Sequence, residues 1–136
     1  MTKQFDRGLF VNVAVRDLKR TIAYFTELGF TFNPKFTDEK AACLVIGEAS
    51  SVMLLQDSFF STFTNKPTVD AKQSTQAIIA VSCESREEVD RIVDRAVALG
   101  GTAAGDPVDH GFMYMRSFWD LDGHHWEMFW MDPAHG

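Results

Sequence analysis

One pattern occurs twice along this chain of 136 residues, and a strand–helix–strands pattern given twice leaves few ways to bury itself. The first copy opens on Leu9-Phe10-Val11-Asn12-Val13-Ala14-Val15, where Val11, Val13 and Val15 alternate with Phe10, Asn12 and Ala14. That alternation predicts a strand with one smooth apolar face and one mixed face. Asp17 offers a helix N-cap, Leu18, Ile22, Phe25 and Leu28 follow as an apolar stripe at helical spacing, and Gly29 closes the helix. Three strands are then expected, at about 30–36, 41–46 and 51–56, with turns at Asp38-Glu39-Lys40 and Gly47-Glu48.

The second copy starts near Thr75. Ala77, Ile79 and Val81 alternate with Gln76, Ile78 and Ala80. Ser85 and Glu88 have the spacing of a capping box, in which each side chain satisfies an amide of the first helical turn. Val89, Ile92, Val93, Ala96 and Val97 form the apolar stripe of the second helix, and the charged run from Arg86 to Arg95 reads as its solvated face. Leu99-Gly100-Gly101-Thr102 closes it much as Leu28-Gly29-Phe30-Thr31 closes the first. Strands are expected near 102–104, 112–119 and 125–131, with Asp120-Leu121-Asp122-Gly123 turning between the last two.

The expected fold is therefore α+β: two βαβββ modules forming one cup-shaped mixed-sheet domain over residues 1–136. Module one covers about 8–57, a linker or lid about 58–74, and module two about 75–131. Each helix covers one face of its sheet, and the free faces are expected to curl toward a shared pocket. The linker holds Phe59, Phe60 and Phe63, which reads either as a short lid over the pocket or as cover for the core edge.

Composition narrows the partners. Thirteen basic against nineteen acidic residues give a net charge of −6, which argues against nucleic acid or an anionic membrane surface. No stretch reaches the roughly 18 apolar residues of a membrane span, and the N-terminus lacks the apolar core of a signal peptide, so a cytoplasmic protein is expected. Cys43 and Cys83 lie far apart in apolar runs and read as reduced, inert thiols.

Residues 10–18 through 25–30, together with Asp120-Leu121-Asp122-Gly123-His124-His125-Trp126-Glu127, resemble the opening and closing motifs of the vicinal-oxygen-chelate proteins: glyoxalase I, extradiol dioxygenases, and the fosfomycin- and bleomycin-resistance proteins. Phe32-Asn33-Pro34 and Asp109-His110-Gly111-Phe112-Met113-Tyr114 look typical of a bacterial branch labelled as predicted lactoylglutathione lyases. The resemblance covers roughly residues 8–131 and implies a divalent metal (Mn²⁺, Mg²⁺, Ni²⁺ or Zn²⁺) held by side chains from both modules. The family's last-strand glutamate falls on Glu127, and the ligand opening module two falls on Gln76. The first-strand ligand falls on Phe10 and the fourth-strand glutamate near Met53, neither of which coordinates a hard cation.

Strand alternation puts Glu127 on one face with His125 and Phe129, and Trp126, Met128 and Trp130 on the other. A carboxylate in so apolar a strand needs a partner, which makes Glu127 a candidate base, ligand or anchor, against the alternative of a structural pair with Arg116. Asn12 and Gln76 are expected to face the same hollow as Glu127, and Phe10 and Phe59 to enclose a ligand there. His110, beside Asp109, is a candidate proton carrier at the rim. The parity of the strand at 112–119 stays open: either Ser117, which the resemblance makes a substrate-facing position, or Arg116 points inward. Two functions are expected. One is a glyoxalase-like lyase or isomerase acting on a substrate with adjacent oxygens. The other is a metal-free protein that binds or sequesters a small molecule. A homodimer is expected for either.

Overall fold

The structure, a computed structural model, describes residues 4–135. It divides into two compact units, Met1–Pro67 and Thr68–Gly136, with the boundary inside the expected linker. The chain is of mixed α+β class, as the repeat implied.

In the N-terminal unit, β1 (Leu9–Val15) leads to α1 (Leu18–Glu27), β2 (Thr31–Phe32), β3 (Ala41–Gly47), β4 (Ser50–Gln56) and the short α2 (Asp57–Phe60). The sheet order is β1-β4-β3-β2, with β1 parallel to β4 and the other pairs antiparallel. Helix α1 begins where expected because extended Asp17 accepts a hydrogen bond from the Arg20 amide through its carboxylate. It ends because Gly29 takes φ 102°, which lets the chain turn out of the helix. Leu18, Tyr24, Phe25 and Leu28 are buried with Val15, Leu44, Val52 and Leu54. Each of the fully enclosed large side chains contributes about 2 kcal/mol of apolar burial. Gln56 ties the end of β4 to the helix start, accepting from Leu18 N at 3.1 Å and donating to Arg16 O.

The strand expected at 30–36 is cut to two residues. Asn33 accepts from Lys35 N through its side chain and starts a 3-10 turn over Pro34–Phe36. A proline that cannot donate to a ladder suits such a turn better than a strand. In the linker, α2 runs into a further 3-10 turn, Ser61–Phe63, where Phe59 and Phe63 meet edge-on with centroids 5.0 Å apart.

In the C-terminal unit, β5 (Ile78–Ser82) leads to α3 (Arg86–Ala98), β6 (Thr102–Ala103), β7 (Val108–Asp109), β8 (Met113–Trp119) and β9 (His125–Met131). The order β5-β9-β8-β6 repeats that of the N-terminal sheet, again with a parallel pair at one end. The added strand β7 pairs with the same edge of β8 as β6 does, so the two act as one strand interrupted at Gly105-Asp106-Pro107. Helix α3 starts on Ser85, whose hydroxyl accepts from Glu88 N at 3.0 Å. The return bond of the expected capping box shifts by one residue, Glu88 accepting from Glu84 N instead of Ser85 N.

Strand β5 starts three residues later than the Thr75 expected from the alternation. Ile78 pairs with His125, the first residue of β9, so a strand residue at 76 has only the turn around Gly123 beside it. Among the described residues no helix is long and apolar enough to cross a membrane.

Candidate functional site

Helix α3 covers one face of the C-terminal sheet. Tyr114 donates from its hydroxyl to Asp90 at 2.6 Å, and Arg116 pairs with Asp90 and Asp94, each at 2.9 Å. Phe118, Trp126 and Met128 are fully buried on that face. This settles the parity of β8: Arg116 belongs to the helix side, and its ion pairs go to α3 and not to Glu127. The hydrogen bond from Tyr114 and the adjacent Arg116 hold the Asp90 carboxyl below its usual range.

The opposite face has no helix of its own unit on it. Ladder pairing arranges its side chains in three rows across β5, β9 and β8: Ile78–His125–Trp119, Ala80–Glu127–Ser117 and Ser82–Phe129–Met115. At strand spacings of 4.7–4.9 Å and about 6.7 Å per two residues, the array measures about 10 by 13 Å, the footprint of one small molecule. Glu127 occupies its centre. Small Ala80 and Ser117 flank it, so its carboxylate is only partly covered, at 25 % side-chain exposure. Cβ atoms of directly opposed residues lie about 5 Å apart, which sets Ser117 beside Glu127 on this face. His125 is the second polar member, with Nε2 3.8 Å from Glu127 Oε2 and its ring edge-on to Trp119 at 6.2 Å. A cleft of about 440 Å³, lined by Lys72, Ser74, Thr75, Thr102 and Leu121, shares Trp119 with the first row.

The N-terminal sheet carries the same array with different residues: Phe10–Ser51–Val45, Asn12–Met53–Cys43 and Ala14–Leu55–Ala41. Asn12 is exposed on β1, and its side-chain amide donates to Phe10 O at 3.3 Å. Phe10 is 53 % exposed, and Phe59 is half-buried beside Lys40.

Superposing the two ladders corrects the position taken for a metal ligand in module two. Met53 and Glu127 correspond, and the residue two places before their β1 and β5 partners is Phe10 in one unit and Ile78 in the other. The caps agree, since Asp17 follows Phe10 by as many residues as Ser85 follows Ile78. Gln76 instead precedes β5, is exposed, and corresponds to Gly8. The four matched positions are thus Phe10, Met53, Ile78 and Glu127, a single carboxylate among three apolar side chains. Among the described residues no group of three or more His, Cys, Asp or Glu side chains stands close enough to hold an ion. This donor set does not fit the family's divalent metal.

His110 is placed elsewhere. Its amide donates to Met113 O at the far end of β8, four residues, or about 13 Å, from the Ser117–Glu127 row. Its neighbour Asp109 is committed to Arg86 through two bonds of 2.8 and 2.9 Å. With a further donor in Gly111 N, Arg86 lowers the Asp109 carboxyl to about 2. His125 is the residue that sequence reasoning passed over. Its shared face with Glu127 was legible from alternation, but its pairing with Trp119 and its approach to the carboxylate need the register of β8.

Residues 9–128 match the Glyoxalase/Bleomycin resistance protein/Dioxygenase superfamily. The chain belongs to that superfamily. Among solved structures, it is similar to the hypothetical protein SA1046 from S. aureus, with TM-score 0.75 and 26 % identity over 93 % of this chain and 95 % of that one. A glyoxalase-related enzyme from Fulvimarina pelagi aligns with TM-score 0.76 and 16 % identity over 93 % and 88 %. The fosfomycin resistance protein FosX from Mesorhizobium loti aligns with TM-score 0.62 and 18 % identity over 99 % and 98 %. No curated protein matches. The superfamily is therefore secure, while the low identities to the last two establish a common fold alone.

Proposed function

We propose that this superfamily member binds a small organic molecule on the open face of its C-terminal sheet, without a resident divalent metal, using Glu127 as the central polar anchor. The observation that carries this reading is Glu127 itself, the one carboxylate in an array otherwise built of Ile78, Trp119, Met115, Phe129, His125 and small residues. Such a surface suits a ligand with an apolar body and a hydroxyl or other proton donor turned toward Glu127, with the Ser117 hydroxyl as a second contact. The family match spans both units, which supports reading residues 1–136 as one functional domain. The same reading includes a homodimer, supported by exposed Leu9, Phe10 and Ile78 on the end strands of the two sheets.

The approach of His125 to Glu127 favours a second reading, in which the carboxylate takes a proton from a bound substrate with adjacent oxygens, as a glyoxalase-like lyase or isomerase requires.

Metal content of protein purified without chelator, followed by melting scans with Mn²⁺, Mg²⁺, Ni²⁺, Zn²⁺ and EDTA, tests the metal-free reading. No bound metal and no shift in melting temperature are expected. A stoichiometric ion that raises the melting temperature and is lost in Glu127→Ala overturns it. In a melting screen of hydroxylated apolar compounds, hits should lose their effect in Glu127→Ala, with the variant's own fold intact by circular dichroism. Turnover of such a hit decides between binding and catalysis.

A further inference from the structure

His125 Nε2 is buried and has no hydrogen-bond partner among the described residues. A buried ring nitrogen in that state is costly, and native sites that tolerate one usually have a use for it. The flanking positions on its face offer little relief. Ile78, Ala80 and the Trp119 indole carry no acceptor, and Ser117 stands opposite Glu127, not His125. The charged acceptor within reach is Glu127 Oε2, at 3.8 Å, beyond the hydrogen-bonding range by about 0.6 Å. The imidazole is flanked by Ile78 on one neighbouring strand and by Trp119, edge-on, on the other. The carboxylate has the open side of the array before it and only Ala80 and Ser117 beside it.

We propose that His125 is a positioning residue for Glu127: its Nε2–H closes onto Oε2 and holds the carboxylate so that the other oxygen faces the ligand. This rests on the open face being the binding surface. Fixing one oxygen removes the rotational freedom of the side chain and gives the other a single direction, which a lone carboxylate on a flat apolar array otherwise lacks. His125 itself meets no ligand in this arrangement; it acts through Glu127.

Imidazole ¹H–¹⁵N spectra of the full chain at neutral pH provide the test, with His125 assigned from the signal lost in His125→Gln. The Nε2 proton should be visible, shifted downfield and slow to exchange with solvent. In folded Glu127→Gln it should move upfield and exchange about tenfold faster, because a charge-assisted bond becomes a neutral one. If Glu127→Gln does not fold, Glu127→Asp, which withdraws the carboxylate by one methylene, should give a shift in the same direction. A His125 signal that ignores both substitutions overturns the proposal, as does a proton resident on Nδ1 with Nε2 bare. A purely structural contact of the imidazole moves melting temperature without this spectral response. An empty ligand screen with the spectral coupling present sinks the binding reading alone, and a productive screen without the coupling sinks the role of His125 alone.

Discussion

The indole nitrogen of Trp126 donates to Asp120 Oδ2 at 2.9 Å, while Oδ1 of the same buried carboxylate accepts from the amides of Asp122 and His124 at 3.0 Å each. One side chain thereby closes the turn between β8 and β9 and anchors Trp126, a fully buried residue of β9 next to Glu127. Asp120→Ala leaves three donors without their acceptor. It should cost about 3 kcal/mol in urea unfolding, with Asp120→Asn costing less because one oxygen remains. A loss below about 1 kcal/mol for the alanine variant means the turn holds itself.

Gly123 and Gly105 both have positive φ, +91° and +129°, but only Gly123 is crowded. A Cβ there lies 2.8 Å from the backbone of Ala71 and Lys72, whereas at Gly105 it meets nothing within 4 Å. Gly105→Ala should cost about 1 kcal/mol from backbone strain alone, and Gly123→Ala about 3 kcal/mol or more as the 70–74 turn is pushed off the hairpin. Equal losses in chemical denaturation contradict the close approach.

The Arg86–Asp109 pair sets an acid limit. Arg86, held over the rings of Tyr114 and Trp130 at 4.9 and 5.3 Å, brings the Asp109 carboxyl from 3.8 to about 2. A carboxyl depressed on folding stabilises the protein above its unfolded value, and that contribution is lost as pH falls through the folded value. The stability gap between the wild type and Asp109→Asn should therefore be full near neutrality and shrink between about pH 4 and about pH 2. Asp109 is exposed and Arg86 half-buried, so the gap should also narrow in high salt. Urea midpoints across that range report it, and a gap independent of pH refutes the assignment.

Asp17 and Ser85 cap corresponding helices of the two units, each accepting the amide three residues on. Asp17→Ala and Ser85→Ala should each cost about 1 kcal/mol, with Asn at either position recovering most of it. Thermal unfolding of the four variants checks the pattern. A variant that melts like the wild type marks a cap whose helix is fixed by packing alone.

These caps were legible in the sequence because local chemistry decides them. The same holds for β1, for both helices, and for the face on which Glu127 lies, since alternation over seven residues leaves one solution. What stayed hidden depended on partners. Gln76 alternates properly with Ile78 and Ala80, yet the strand begins only where β9 begins beside it. Ser117 and Arg116 are indistinguishable from alternation because β8 carries large apolar or aromatic side chains on both faces, Met113, Met115 and Trp119 on one and Tyr114 and Phe118 on the other, and it is Asp90 and Asp94 that draw Arg116 to the helix. Strand β7 is two residues long, too short for any periodicity to register.

Met53 and Glu127 hold the same place in two copies of one unit, and only one copy is armed. Duplication normally provides a spare, so that a loss in one half is made good by the other. Here the methionine at position 53 has nothing to lend. The ladder therefore places its one carboxylate at this matched position in the C-terminal half, and the corresponding place in the N-terminal half is filled by an apolar thioether.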